Sequence, residues 1–209
     1  EDELAENFQA LIEEAEEGEV EAQHDLGMAY RLGQGVEVDK GWAAHWLNKA
    51  AEAGDPKAQL ELGRLFVEGF GPARSDPMTG AAWVSTAANQ GYGEAEFEMG
   101  MMLAQGIGVQ LNFEWARYWL EKAAGQRSCR SAGNAAYRIG QMYAFGEGVE
   151  ISSEKALFWF ERSAERGHNM GMSEAQTILR KGVGQVTPAR GNTPGLPAAI
   201  RKRMYGSRW

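Results

Sequence analysis

The sequence predicts an all-α protein, an α-solenoid built from four helix pairs with a capping helix at either end. Three observations predict it. One helical pattern recurs four times, a glycine turn follows each copy, and a second helix carrying tryptophan follows each turn. Recurrence at 20 to 50 residues is typical of repeat proteins, whose stacked units share a continuous core that no single unit could bury alone.

The first helix of each pair carries Ala, an apolar residue, Gly and a further apolar or aromatic residue at positions 0, +4, +5 and +8. These offsets lie on one side of a helix, where small residues allow close approach of a neighbour. The +5 glycines recur at intervals of 36, 37 and 40 residues. The four sets are Ala22, Leu26, Gly27, Tyr30; Ala58, Leu62, Gly63, Phe66; Ala95, Met99, Gly100, Leu103; and Ala135, Ile139, Gly140, Tyr143.

Each first helix is followed by a Gly-x-Gly turn and then by a residue that suits a helix N-cap. The predicted N-caps of the second helices are Asp39, Asp76, Asn112 and Ser152. Each second helix carries a Trp, at positions 46, 83, 119 and 159, followed four residues later by a small pair. Gly54, Gly91 and Gly167 suit left-handed helix ends. The third copy has an additional loop or extension, residues 126–134.

The ends extend this array and divide the chain into three predicted parts. Residues 1–19 form an N-terminal capping helix, whose core reads as residues 3–17. Residues 20–181 form the solenoid and end in a capping helix at about 172–181, begun by a capping box of Ser173 and Gln176. Residues 182–209 form a basic Gly/Pro-rich tail that could contain a short helix from Pro197.

The recurring positions resemble the Sel1-like repeat, a relative of the tetratricopeptide repeat, over about residues 20–167. The resemblance implies antiparallel helix pairs in a right-handed superhelix with a concave binding surface. It implies a scaffold or adaptor in signalling, envelope or assembly processes, mostly bacterial, and it carries no catalytic residues to transfer. The chain is therefore predicted not to be an enzyme.

Composition and charge restrict the partners. From Arg180 onward there are seven basic residues and no acidic one, whereas the rest of the chain holds 14 basic and 29 acidic residues. An acidic body disfavours nucleic acid, and the tail could contact the body, a partner or an anionic surface.

No apolar run is long enough for a membrane span. Because the chain begins with Glu1, a signal could already be removed, which favours a periplasmic or secreted protein over a cytoplasmic one.

Candidate chemical sites all have simpler structural interpretations. The recurring Gly-x-Gly turns are structural rather than phosphate loops, and His24, His45 and His168 share no spacing. The acidic clusters, including Glu94, Glu96 and Glu98, read as a solvated helix face. Cys129 stands alone. We therefore predict no catalytic residue, cofactor or metal site, and a hydrolase stays an unsupported alternative. The four recurring Trp read as packing, and Trp42 and Trp115 could belong to the core as well.

The predicted binding surface lies on the first helices, next to the repeated positions, and would suit a basic amphipathic peptide. Its residues are His24, Met28, Leu60, Arg64, Phe97, Met101, Tyr137 and Gln141. The alternative is that Leu60, Phe97 and Tyr137 simply pack between helices. In the tail, Arg201, Lys202 and Arg203 are further partner-binding candidates. The sequence thus predicts a protein–protein interaction scaffold. The alternative is a structural component of a bacterial cell-envelope or flagellar-motor assembly, docked through the tail.

Overall fold

The computed structural model describes residues 2–70 and 74–181. These two ranges contain ten helices and no strand, which confirms the all-α helical-repeat prediction. None of these helices is both long and apolar enough to cross a membrane. The helices are α1 (Asp2–Glu17), α2 (Val20–Leu32), α3 (Lys40–Glu52), α4 (Pro56–Glu68), α5 (Pro77–Asn89), α6 (Gly93–Gln105), α7 (Phe113–Gly125), α8 (Ala132–Phe145), α9 (Ser153–Glu165) and α10 (Asn169–Lys181).

The chain forms two compact units, and the boundary between them falls inside α6, between Ala95 and Glu96. In the first unit, Leu26 and Leu47 are fully buried, and the apolar face of α1 packs near Trp46 through Phe8 and Ala15. In the second unit, the core consists of buried side chains from α7, α8, α9 and α10. Its fully buried large side chains include Leu120, Ile139, Met142 and Phe160.

The +5 glycines explain how closely the two helices of a repeat approach each other. A Cβ atom at Gly63 would lie 2.7 Å from Cγ2 of Val84 and 2.8 Å from the carbonyl oxygen of Gly80. A Cβ atom at Gly140 would lie 2.7 Å from the ring of Phe160. Any side chain at this position would therefore push the second helix away, which is the physical reason that the pattern requires glycine.

The second helices begin where the sequence predicts. The side chains of the four predicted N-cap residues accept hydrogen bonds from backbone N–H groups in the first helical turn, which would otherwise have no partner. These capping residues are Asp39, Asp76, Asn112 and Ser152. Gly54, Gly91 and Gly167 have φ angles of 98°, 84° and 80°, as predicted for residues that end a helix in the left-handed region.

Two predicted boundaries differ from the structure. The connection after α7 is shorter than expected, because α8 begins at Ala132. The capping box of Ser173 and Gln176 is wrong, because α10 begins at Asn169 and both residues lie inside the helix. The predicted tail, residues 182–209, lies outside the described residues, and the division into cap, solenoid and tail stays a prediction.

Candidate functional site

In the first unit, the predicted binding residues have different environments. His24 is half-buried and its Nδ1 lies 2.8 Å from the carboxylate of Asp25. Met28 is half-buried and packs against the core of α3 and α4. Leu60 is only 2% exposed, so its side chain belongs to the packed interior and offers no surface to a partner. The structure of Leu60 agrees with the alternative interpretation, in which this residue packs between helices.

Arg64 belongs to an ionic network in the first unit. Its guanidinium donates to Glu61 at 2.8 Å, and Glu61 also pairs with Arg31 from α2. Arg31 and Lys40 both reach Glu68 at 3.0 Å. Part of the hydrogen-bonding capacity of Arg64 is therefore already used by Glu61.

In the second unit, four predicted residues are half-buried side chains at the edge of the core. Phe97, Met101 and Tyr137 pack against the same cluster, which fixes them while part of each stays accessible. Gln141 is half-buried one turn after Tyr137. Two aromatic side chains, a thioether and an amide are therefore partly accessible in this unit.

The surroundings of Tyr137 keep its phenol neutral. The ring lies 5.4 Å from that of Phe160 and 4.6 Å from that of His168, measured between centroids. Burial raises the pKa of the Tyr137 hydroxyl, and the negative charge of Glu174 acts in the same direction. Burial also raises the pKa of Glu174 and lowers that of His168. Loss of contact with water is the main cause of all three pKa shifts. Such loss occurs at the edge of a core and at a binding surface alike.

One acidic residue does not lie where the sequence analysis placed it. Glu96 is 0% exposed, so the expectation of a solvated face is wrong at this position. It occupies position +1 of its repeat, which holds the buried Gln23 and Gln59 in the first two repeats. Alignment of the repeats could have revealed this. Glu96 pairs with Lys122 at 3.0 Å and accepts a hydrogen bond from Gln126 at 2.7 Å.

Two tryptophans are more exposed than expected. Trp42 is 51% exposed and Trp115 is 55% exposed, so the suggestion that they belong to the core is wrong. Both precede the buried Trp46 and Trp119 by four residues. The Trp42 ring stacks on Tyr30 of α2, with 6.1 Å between centroids. The Trp115 ring packs edge-on against Tyr118, with 5.4 Å between centroids. Exposed aromatic side chains on the second helices of the first and third repeats are thus a feature that the sequence does not predict.

The described ranges contain no group of three or more His, Cys, Asp and Glu side chains placed to hold a metal ion. The tail candidates Arg201, Lys202 and Arg203 lie outside those ranges. The surfaces described above present aromatic faces, thioethers, amides and paired charges.

Comparison with known proteins identifies the repeat. Sel1 repeats match residues 20–55, 56–92, 93–128 and 133–168. A protective antigen of uropathogenic Escherichia coli strains that displays an SLR fold is similar in structure, with a TM-score of 0.76 and 28% identity over 90% of this chain and 39% of its own. A Sel1 repeat protein from Oxalobacter formigenes has a TM-score of 0.73 and 30% identity over 89% of this chain and 74% of its own.

A curated relative is the ERAD-associated E3 ubiquitin-protein ligase component HRD3A of Arabidopsis thaliana. It is 34% identical over 67 residues, which are 32% of this chain and only 10% of the relative. Sel1 repeat proteins generally mediate protein–protein interactions and are generally non-catalytic. Because the four matched repeats cover more than half of the sequence, this chain belongs to the Sel1 repeat family.

Proposed function

We propose that this protein is a scaffold that binds a segment of a partner protein on the first-helix surface of its second unit. This surface, called here the α6–α8 surface, consists of Phe97, Met101, Tyr137 and Gln141. The observation that carries the proposal is that the first three are held at the core edge with part of each side chain accessible. Side chains that are already fixed lose little conformational freedom on binding.

The chemistry of this surface favours an amphipathic segment with basic residues. Aromatic side chains supply large contact areas, and methionine adapts to differently shaped partners. The amide of Gln141 can exchange hydrogen bonds with a peptide. The body of the chain before Arg180 carries about twice as many acidic as basic residues. This charge steers a basic partner and acts mainly on its association rate.

In the first unit, His24, Met28 and Arg64 occupy the related positions. They offer a partner less than the α6–α8 surface does, because Arg64 is already paired with Glu61 and Leu60 is buried. Binding energy should therefore be concentrated in the second unit.

The test uses peptides selected on the intact protein from a random display library. We expect the selected peptides to be basic and amphipathic, and the Met101→Glu or Gln141→Lys variant to weaken their binding roughly tenfold, as at interface hot spots. Because Met101 packs against the core, circular dichroism and thermal unfolding must first show that each variant keeps its fold.

The matched control is Tyr118→Ala, which removes an exposed aromatic side chain from a second helix of the same unit. It should leave peptide affinity unchanged. Peptides that lose affinity only with Tyr118→Ala would place the binding surface on the second helices and would refute the proposal.

A further inference from the structure

The last helix, α10, occupies the place of a first helix in a fifth repeat. Gly171 and Ala175 stand at positions 0 and +4, and Gly171 packs against α9, where a Cβ atom would lie 2.7 Å from the carbonyl oxygen of Phe160. Gly182 and Gly184 follow at +11 and +13, the same spacing that separates Ala135 from Gly146 and Gly148. The sequence thus continues the pattern through the turn that precedes a second helix.

Two positions that are covered in every complete repeat are uncovered in α10. Positions +1 and +5 are buried in all four repeats. At +5, a Cβ atom on the glycine would meet the second helix of the same repeat in all four. At +1, Gln59 accepts from Gln90 at 2.7 Å, and Glu96 pairs with Lys122. The equivalent residues in α10 are Met172, which is 56% exposed, and Gln176, which is also exposed.

A shallow pocket marks this uncovered side of α10. It has a volume of about 290 Å³ and is lined by residues that include His168, Met172, Ser173 and Gln176. At +5, α10 has Gln176 where the four repeats have glycine. In the fourth repeat, a Cβ atom at the equivalent Gly140 would already touch the second helix. A second helix can therefore cover α10 only from further away than in the complete repeats.

The residues at the usual spacing cannot provide that helix. A second helix would occupy about residues 189–201, by analogy with α9 following α8, but Gly191, Pro194 and Gly195 fall in its interior. Proline removes a helix hydrogen bond and clashes with the preceding turn. The next stretch begins at Pro197, a residue favoured at the first helical position, and runs without Gly or Pro to Tyr205.

We propose that residues 197–205 form a displaced second helix that docks on α10 over Met172 and Gln176. The 15 residues between Lys181 and Pro197 can span up to ~50 Å when extended, so reach does not limit docking. Ile200 and Met204, four residues apart, would supply the apolar contact, and Lys202 would lie on the opposite side of the helix. This inference is independent of the binding proposed for the α6–α8 surface.

Methionine oxidation by dilute hydrogen peroxide in the full chain tests the docking. Met78, which is 71% exposed on α5, serves as the internal reference for Met172. We expect Met172 to oxidise roughly tenfold more slowly than Met78, because a docked segment excludes the reagent except during local opening. The double variant Ile200→Asp, Met204→Asp should raise the Met172 rate to that of Met78. The matched control Lys202→Asp adds a carboxylate on the other side and should leave the protection in place.

Three outcomes would overturn the proposal. Equal oxidation of Met172 and Met78 in the unaltered full chain would show that nothing covers α10. Protection that persists in the double variant would assign the cover to another segment. Protection that disappears on dilution, together with dissociation of a dimer in sedimentation, would assign the cover to a second copy of the chain.

Discussion

At the scale of single residues, position +1 shows how one side chain changes the chemistry of a repeat. Gln23 and Gln59 are buried and donate from Nε2 to the carbonyl oxygens of Ala15 and Ala51, at 3.1 and 3.0 Å. Glu96 has the same shape, but an ionised carboxylate can only accept. Its oxygens consequently require partners from elsewhere. Gln126 donates a hydrogen bond to Oε2, and the Lys122 ammonium supplies a positive charge 3.0 Å from Oε1.

Lys122→Met should destabilise the protein because it leaves the buried Glu96 carboxylate without its cation. Removing one partner of a buried pair costs several kcal/mol, but Lys122 is partly exposed and Gln126 stays in place, so we expect about 2 kcal/mol at neutral pH. Urea unfolding followed by circular dichroism measures this. The second change Glu96→Gln, made in the Lys122→Met background, should recover most of the loss.

Lys49→Met is the matched control for this change. Lys49 occupies the equivalent position in the first repeat and lies 4.3 Å from the Trp46 ring centroid, as Lys122 lies 4.6 Å from that of Trp119. Its removal should cost only the cation–π contact, about 0.5–1 kcal/mol. Equal destabilisation by the two substitutions would show that the pair with Glu96 contributes nothing.

At the scale of helices, glycines set the distance between α4 and α5. Gly80→Ala should destabilise the protein by about 1–3 kcal/mol, because its Cβ atom would lie 2.6 Å from the carbonyl oxygen of Gly63 and 2.7 Å from Cγ2 of Val67. The backbone contact requires the helices to separate. This cost must exceed the gain of up to ~1 kcal/mol that alanine brings in a helix. Thermal unfolding gives the comparison.

The control for Gly80 is Gly125→Ala in α7. Nothing lies within 4 Å of a Cβ atom there, so this change should leave stability equal or slightly higher. A Gly80→Ala protein at least as stable as the original would mean that the approach of α4 and α5 is not limited by this glycine.

The helices and their ends could be predicted because their signals are local and recur. Asp39 and Ser152 cap helices with only their own first turn as partner, and Gly54 ends one by its backbone angle. Recurrence removed the ambiguity that each signal has alone. The predicted start of α10 differs from the structure because this helix has no complete copy of the repeat to align with.

At the scale of the whole molecule, exposure was harder to predict than fold. Leu60 and Phe97 are equivalent by alignment, yet one is buried and the other is half-buried. Trp42 and Trp46 are both tryptophans on one helix, yet Trp42 is exposed and Trp46 is buried. Side chains four residues apart on a helix point in similar but not identical directions. Exposure depends on the neighbouring side chains across helices, and these differ between repeats even where the pattern is the same. Identifying the partner-binding residues requires knowing which side chains are exposed, so these residues stay predictions.

The division into two units leads to a prediction about cooperativity. The most extensive helix contacts join consecutive helices, such as α4 with α5 and α8 with α9, as expected where each repeat is stabilised by its neighbours. Leu62 and Ile139 occupy the same repeat position, +4, in different units, and both are fully buried. Truncating either to alanine should cost about 2–5 kcal/mol locally.

Native-state hydrogen exchange of the two variants separates local from global effects. Leu62→Ala should lower the protection of amides in α3 to α5 far more than in α8 and α9, and Ile139→Ala should do the reverse, because opening spreads through neighbouring interfaces. Each variant is the control for the other, since both remove apolar volume at one structural position. Equal loss of protection in both groups of helices would mean that the chain opens only as a whole. The two units would then be a feature of the contacts alone and would not unfold separately.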